Sequence, residues 1–259
     1  MDLILAAHGT RRPGGVAMIG DLAGRVSALL DRPVQVAFVD VLGPTPSEVL
    51  SRTAAGGRPA VVVPAFLSRG YHVRTDLPAH VAASGHPDVI VTPALGPSGE
   101  IARIVADQLR KCGWRLGDSV VLAAAGTTDV RARADLHLAA TTLSALVGSR
   151  VRLAFAATGD PYVDDVVAAA RRDDARRVVV ASYLLADGLF QERLRASGAD
   201  LVSEPLGTHP GLARLIAHRL RRAAPGLAPV TVRRGSRRPS LRRAQGPHTL
   251  ARRADARDA

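Results

Sequence analysis

Residues Leu3–Thr10 read LILAAHGT, and residues Val120–Thr127 read VVLAAAGT. Three further blocks return in the same order. VQVAF at Val34 reappears as VRLAF at Val151, and RPAVVVPAFLSRG at Arg58 as ARRVVVASYLLADG at Ala175. LGPSGEIARIVADQLRK at Leu95 reappears as LGTHPGLARLIAHRLRR at Leu206, with offsets of 111 to about 118 residues across the four. A period above 100 residues is a duplicated domain and not a solenoid.

Within each half, short β-branched apolar runs alternate with helical stretches. The runs at Leu3–Ala7, Val34–Val39, Ala60–Phe66 and Val89–Thr92 lack strict period-two alternation, as expected of parallel strands buried on both faces. Between them lie VAMIGDLAGRVSALL, TPSEVLSRTA and IARIVADQLRKCG, the last stopping at Gly113. Strict alternation predicts an α/β fold of two homologous three-layer lobes, each a parallel sheet covered by helices, facing across a cleft. The expected division is residues 1–115 for a first lobe carrying the site, 116–225 for a second, and 226–259 for a tail.

The chain has 259 residues, 47% hydrophobic and 22% charged, enough for a large core. Its net charge of +12 suggests nucleic acid until it is located: residues 226–259 hold nine arginines against two aspartates. That stretch has no apolar periodicity and is rich in Pro, Gly, Ser and Arg, so it is expected to be a disordered, solvated appendage rather than a specific nucleic-acid binder. No 18-residue apolar run and no basic-then-apolar leader is present, so no membrane partner is expected. The single cysteine, Cys112, fits a reducing, cytoplasmic setting.

Ligands of open parallel sheets gather at the carboxyl ends of strands. Three such ends in the first half carry reactive side chains: His8 after the first strand, Asp40 after the second and His72 after the third. Two neutral imidazoles and a carboxylate suit a borderline divalent ion, and imidazoles exchange protons near neutral pH. The second half supplies an internal control, with Ala125, Ala157 and Phe190 at the matching positions. Residues required only for folding would be wanted in both halves. Gly9 and Thr10, which recur as Gly126 and Thr127, are expected to shape the turn. The HGT triplet is also similar to the Arg-His-Gly signature of histidine phosphatases, but Ala7 stands where that arginine belongs.

The order AHGTR, VAFVDVLGPTPSEVL, VVVPAFLSRGYHVRTDLP resembles the class II cobalamin and siroheme chelatases, specifically the duplicated form of the sirohydrochlorin chelatases. The likeness runs from Leu3 to about Ala223. It implies a chelatase-like, flavodoxin-like topology and insertion of a divalent ion into the tetrapyrrole sirohydrochlorin without a nucleotide, by a two-lobed monomer. It also implies that His8 and His72 bind the metal and act in catalysis with Asp40, where the family's Glu is shortened to Asp; Thr10 replaces the usual Ser. The ion is a substrate, expected to be Fe2+ on the route to siroheme, with Co2+ on the route to cobalamin as the alternative. A substrate rich in carboxylates would be engaged by Arg11, Arg12, Arg69 and Arg74, which flank the histidines. The alternatives are a metal or tetrapyrrole carrier without turnover and an RNA-associated protein acting through its tail.

Overall fold

In the computed structural model, residues 1–224 are described. The first half runs β1 (Asp2–Ala7), α1 (Pro13–Leu30), β2 (Val34–Phe38), α2 (Pro46–Ala55) and β3 (Ala60–Pro64). It continues through a π-helical turn (His72–Asp76), α3 (Leu77–Ala83), β4 (Val89–Val91) and α4 (Gly99–Lys111). The second half runs β5 (Ser119–Gly126), α5 (Val130–Val147), β6 (Val151–Thr158) and α6 (Val163–Arg172). It ends with β7 (Val178–Tyr183), α7 (Leu189–Arg195), β8 (Leu201–Val202) and α8 (Pro210–Ala223). The tail expected over 226–259 lies outside the described residues.

The two sheets have the orders β2-β1-β3-β4 and β6-β5-β7-β8, with every pairing parallel. This is the flavodoxin-like order, in which the first strand lies between the second and third. The central strands β1, β3, β5 and β7 are mainly apolar because they bury both faces, whereas the edge strand β4, expected from sequence to be buried on both faces, leaves Ile90 and Val91 exposed. On β1, Leu3, Leu5 and Ala7 join Ile19, Leu22 and Val26 of α1, whereas Ile4 and Ala6 join Val49 and Leu50 of α2 and Leu77 of α3. On β5, Val120, Leu122 and Ala124 face the same way as Leu3 and Leu5, and Val121 and Ala123 pack on Val163, Val166 and Val167 of α6.

The inner faces of both sheets share one apolar cluster, into which α1, α4, α5 and α8 are packed. Helix α1 lies against α8 and α4 against α5, so the lobes are joined by a common core. Polar contacts tie the same seam: Arg219 Nη2 donates to the Leu95 carbonyl at 3.0 Å, and Arg221 Nη2 to the Leu29 carbonyl at 2.5 Å. Local signals set the helix ends. Pro13 opens α1, and Thr45 and Glu48 form a reciprocal capping box at α2. Among the described residues no helix is long and apolar enough to cross a membrane.

Leu122 is 1% exposed at the centre of β5 and Leu116 is 80% exposed. Leu122→Ala should cost about 2–5 kcal/mol through lost burial and a residual cavity. That corresponds to a melting temperature roughly 4–20 °C lower. Leu116→Ser should stay within about 0.5 kcal/mol. Thermal and denaturant melts of both variants check the contrast.

Candidate functional site

Because β1 is flanked by β2 and β3, the carboxyl ends of these three strands share one rim of the first sheet. His8 follows the last residue of β1 directly, and Asp40 lies two residues beyond β2. The Asp40 amide donates to the His8 carbonyl at 3.0 Å. Gly9 makes this approach possible: its φ is +98°, and a Cβ there would lie 2.2 Å from the Asp40 carbonyl oxygen. Thr10 Oγ1 accepts from the Arg12 amide at 3.2 Å, and Thr127 Oγ1 from the Asp129 amide at 3.0 Å. Gly9 and Thr10 thus shape a turn that the second lobe repeats.

His72 begins the π-helical turn, eight residues beyond β3, in which the Leu77 amide reaches back to the His72 carbonyl. This wider turn leads into α3 and presents the imidazole toward His8. The His8 and His72 rings meet edge to face, with centroids 4.4 Å apart and an interplanar angle of 86°. One ligand atom from each of His8, Asp40 and His72 falls within 4.8 Å of the others. The structure therefore brings these three residues together at a spacing that a single ion can bridge.

Neighbouring groups set the tautomers. His8 Nδ1 lies 3.0 Å from the Gly9 carbonyl, which only accepts, so in the neutral ring Nδ1 carries the proton and Nε2 the lone pair. His72 Nδ1 lies 2.5 Å from Asp76 Oδ2, with the same consequence. A carboxylate behind a histidine is a common outer support of a metal ligand, fixing the orientation of the ring. Sequence reasoning passed over Asp76. The signal available was its i,i+4 spacing from the histidine in HVRTD. Asp40 Oδ1 accepts from the Val41 amide at 2.7 Å, and Val41 has φ +70°, a strained value for a β-branched residue. Phe66 stacks beside His72 with centroids 6.1 Å apart.

The histidines border a cleft of about 710 Å3, whose far wall includes Ala125, Ala157 and Phe190, the residues aligned with His8, Asp40 and His72. In the second lobe a register shift between Ala124 and Gly126 sets Gly126 opposite Thr158, so Thr158 as well as Ala157 stands near the place of Asp40. Neither carries a carboxylate. A deeper, mainly apolar chamber of about 260 Å3 adjoins, lined among others by Met18, Ile19, Phe38, Leu136 and Tyr183, with His8, Gly9 and Thr10 bordering both spaces. Val41, Leu189 and Phe190 leave exposed apolar surface at the cleft.

The four flanking arginines divide. Arg11 and Arg12 line the cleft. Arg11 has no ion-pair partner among the described residues, and Arg12 pairs with Glu192 of α7, with Nη2 to Oε2 at 3.2 Å. Arg69 and Arg74 are engaged elsewhere. Arg69 forks onto Asp135 of α5, and Arg74 Nη2 lies 2.5 Å from Asp129 Oδ2. The Ala132 amide and Arg74 hold the Asp129 carboxyl below its ordinary range. Of the remaining histidines, His80 bonds Ser47 and the Val39 carbonyl, and His209 caps α8 while donating to Asp107.

The family model CbiX matches this chain twice, over residues 2–112 and 119–223. The sirohydrochlorin cobaltochelatase of Methanothermobacter thermautotrophicus is 29% identical over 131 residues, 42% of this chain and 91% of its own. That of Methanopyrus kandleri is 33% identical over 78 residues, 29% of this chain and 54% of its own. Among solved structures, SirB from Bacillus subtilis with Fe3+ superimposes with a TM-score of 0.76 at 21% identity, covering 86% of this chain and 96% of that one, which shows the shared fold. With both halves matched in register with the duplicated sheets, the chain belongs to the CbiX family, the sirohydrochlorin chelatase family that its motifs resemble.

Proposed function

We propose that this chain inserts a divalent first-row ion, Fe2+ or Co2+, into sirohydrochlorin within the cleft between its lobes, without a nucleotide. The observation that carries this reading is the set His8, Asp40 and His72, with ligand atoms within 4.8 Å of one another beside a cleft of about 710 Å3. That volume lies in the ordinary range of small-molecule sites.

Metal insertion exchanges one M2+ for two pyrrole N–H protons. The ion must shed water, and the ring nitrogens must lose protons as they bind it. His8 Nε2 and His72 Nε2 hold the ion, and Asp40 contributes its free carboxylate oxygen. The ion passes stepwise from these donors to the ring nitrogens, and the released ligands accept the departing protons. Closeness of ion and macrocycle in one cleft turns an encounter between two solutes into an oriented step. The apolar rim of Val41, Leu189 and Phe190 faces the flat ring, and Arg11 and Arg12 meet its carboxylates. Arg12 does so by exchanging its exposed pairing with Glu192.

The donor set accepts iron and cobalt alike. A cobalt reading is favoured by both curated relatives, which are named as cobaltochelatases. Side-by-side conversion of sirohydrochlorin with Fe2+, Co2+ and Ni2+, followed by the change in its visible spectrum, decides the ion. Absence of turnover with each of them would overturn the enzyme in favour of a carrier.

His8→Ala and His72→Ala should each lower the insertion rate more than about 100-fold, beyond the usual loss from an outer-sphere change, while melting cooperatively like the parent. Asp76→Asn should weaken Co2+ binding about 10- to 100-fold, read by titration of the metal alone. Arg11→Ala should raise KM for sirohydrochlorin about two- to fivefold with kcat nearly unchanged, because an exposed charge contributes uniform binding.

A further inference from the structure

His72 stands apart from its partners in one respect. His8 and Asp40 sit within two residues of their strands, whereas His72 lies eight residues past the end of β3. Something other than the first sheet must hold the intervening loop.

Its backbone is pinned in sequence. The Ala65 amide donates to the Ala6 carbonyl at 2.7 Å, and the Phe66 carbonyl accepts from the Gly96 amide at 3.1 Å. The next two anchors come from the second lobe. The Leu67 carbonyl accepts from Tyr183 Oη at 3.1 Å. Asp135 accepts from the Arg69 amide at 2.8 Å, from Arg69 Nε at 3.0 Å and from Arg69 Nη2 at 2.5 Å. The Gly70 carbonyl then accepts from the Val73 and Arg74 amides, and the π-helical turn begins.

Asp135 is 2% and Tyr183 4% exposed, both on the side of the shared core. A buried carboxylate is costly unless its partners satisfy it, and a well-packed apolar residue would serve folding at least as well. Here the carboxylate satisfies one loop amide and one guanidinium. The fit is close: a Cβ on Gly96 would lie 2.3 Å from the Leu67 carbonyl and 2.7 Å from Tyr183 Oη.

We propose that Asp135 and Tyr183 are positioning residues, supplied by the lobe that lacks the reactive trio, which fix His72 opposite His8. This rests on the reading of His8 and His72 as holders of the ion. A ligand displaced by about 1 Å can lose as much as 100-fold in a reaction that depends on orientation.

The test uses the full chain and Co2+ alone as probe, with its d–d absorption reporting coordination, followed by turnover with sirohydrochlorin. Tyr183→Phe removes only the hydroxyl, and Asp135→Asn removes the charge and one acceptor. Both should raise the Co2+ Kd about tenfold or more, alter the d–d spectrum and lower kcat with KM little moved. Leu122→Ala, destabilising but taking part in none of the loop's hydrogen bonds, should leave the Co2+ Kd within twofold. Should Asp135→Asn fail to fold, the isosteric Tyr183→Phe decides alone. Folded variants with parental Kd, spectrum and kcat overturn the proposal, as does an equal Kd loss in Leu122→Ala. If His8→Ala and His72→Ala abolish Co2+ binding while the clamp variants do not weaken it, only the clamp is wrong. If the histidine variants also bind normally, the metal reading itself falls.

Discussion

The position of β1 between β2 and β3 is the constraint on which the site depends. Parallel strands joined by helical crossovers all end on the same side of the sheet, so residues distant in sequence are delivered to one rim. What remains is fine spacing. A glycine at position 9 lets the ends of β1 and β2 approach closely enough for the Asp40 amide to reach the His8 carbonyl. Edge-to-face imidazoles 4.4 Å apart, each with Nδ1 beside an acceptor, leave the Nε2 atoms as the donors of the proposed site.

On the proposed reading, duplication separates labour between the lobes. Both keep the strand order and the small residues of the strand-to-helix turn, because both must bury the inner faces of their sheets in one core. The trio occurs in the first lobe, while the second presents Ala125, Ala157 and Phe190 to the same cleft. An apolar wall opposite polar ligands is a physically sensible partner for a flat organic ring, since it removes water without competing for the ion.

Charge is arranged to the same end. Three of the four arginines near the histidines meet carboxylates of the second lobe. The pair formed by Arg69 with buried Asp135 anchors a loop, whereas the pair of Arg12 with Glu192 is exposed on both sides, screened by water and weakly held. The two arginines are themselves exposed, and the burial of the carboxylate partner, Asp135 against Glu192, separates the anchoring pair from the exchangeable one.

The sequence by itself determined the duplicated α/β architecture and the candidacy of His8, Asp40 and His72. Those properties are written locally: apolar runs without period-two alternation, helices between them, and a repeat whose second copy has Ala125 and Phe190 in place of the histidines. Only the tertiary structure decided which arginines are free, that Asp76 stands behind His72, and that Asp135 and Tyr183 reach the loop before it. Arg69 and Asp135 lie 66 residues apart, and Leu67 and Tyr183 lie 116 apart. Such pairings are set by how two sheets pack across a shared core, and periodicity along one chain carries no record of that packing.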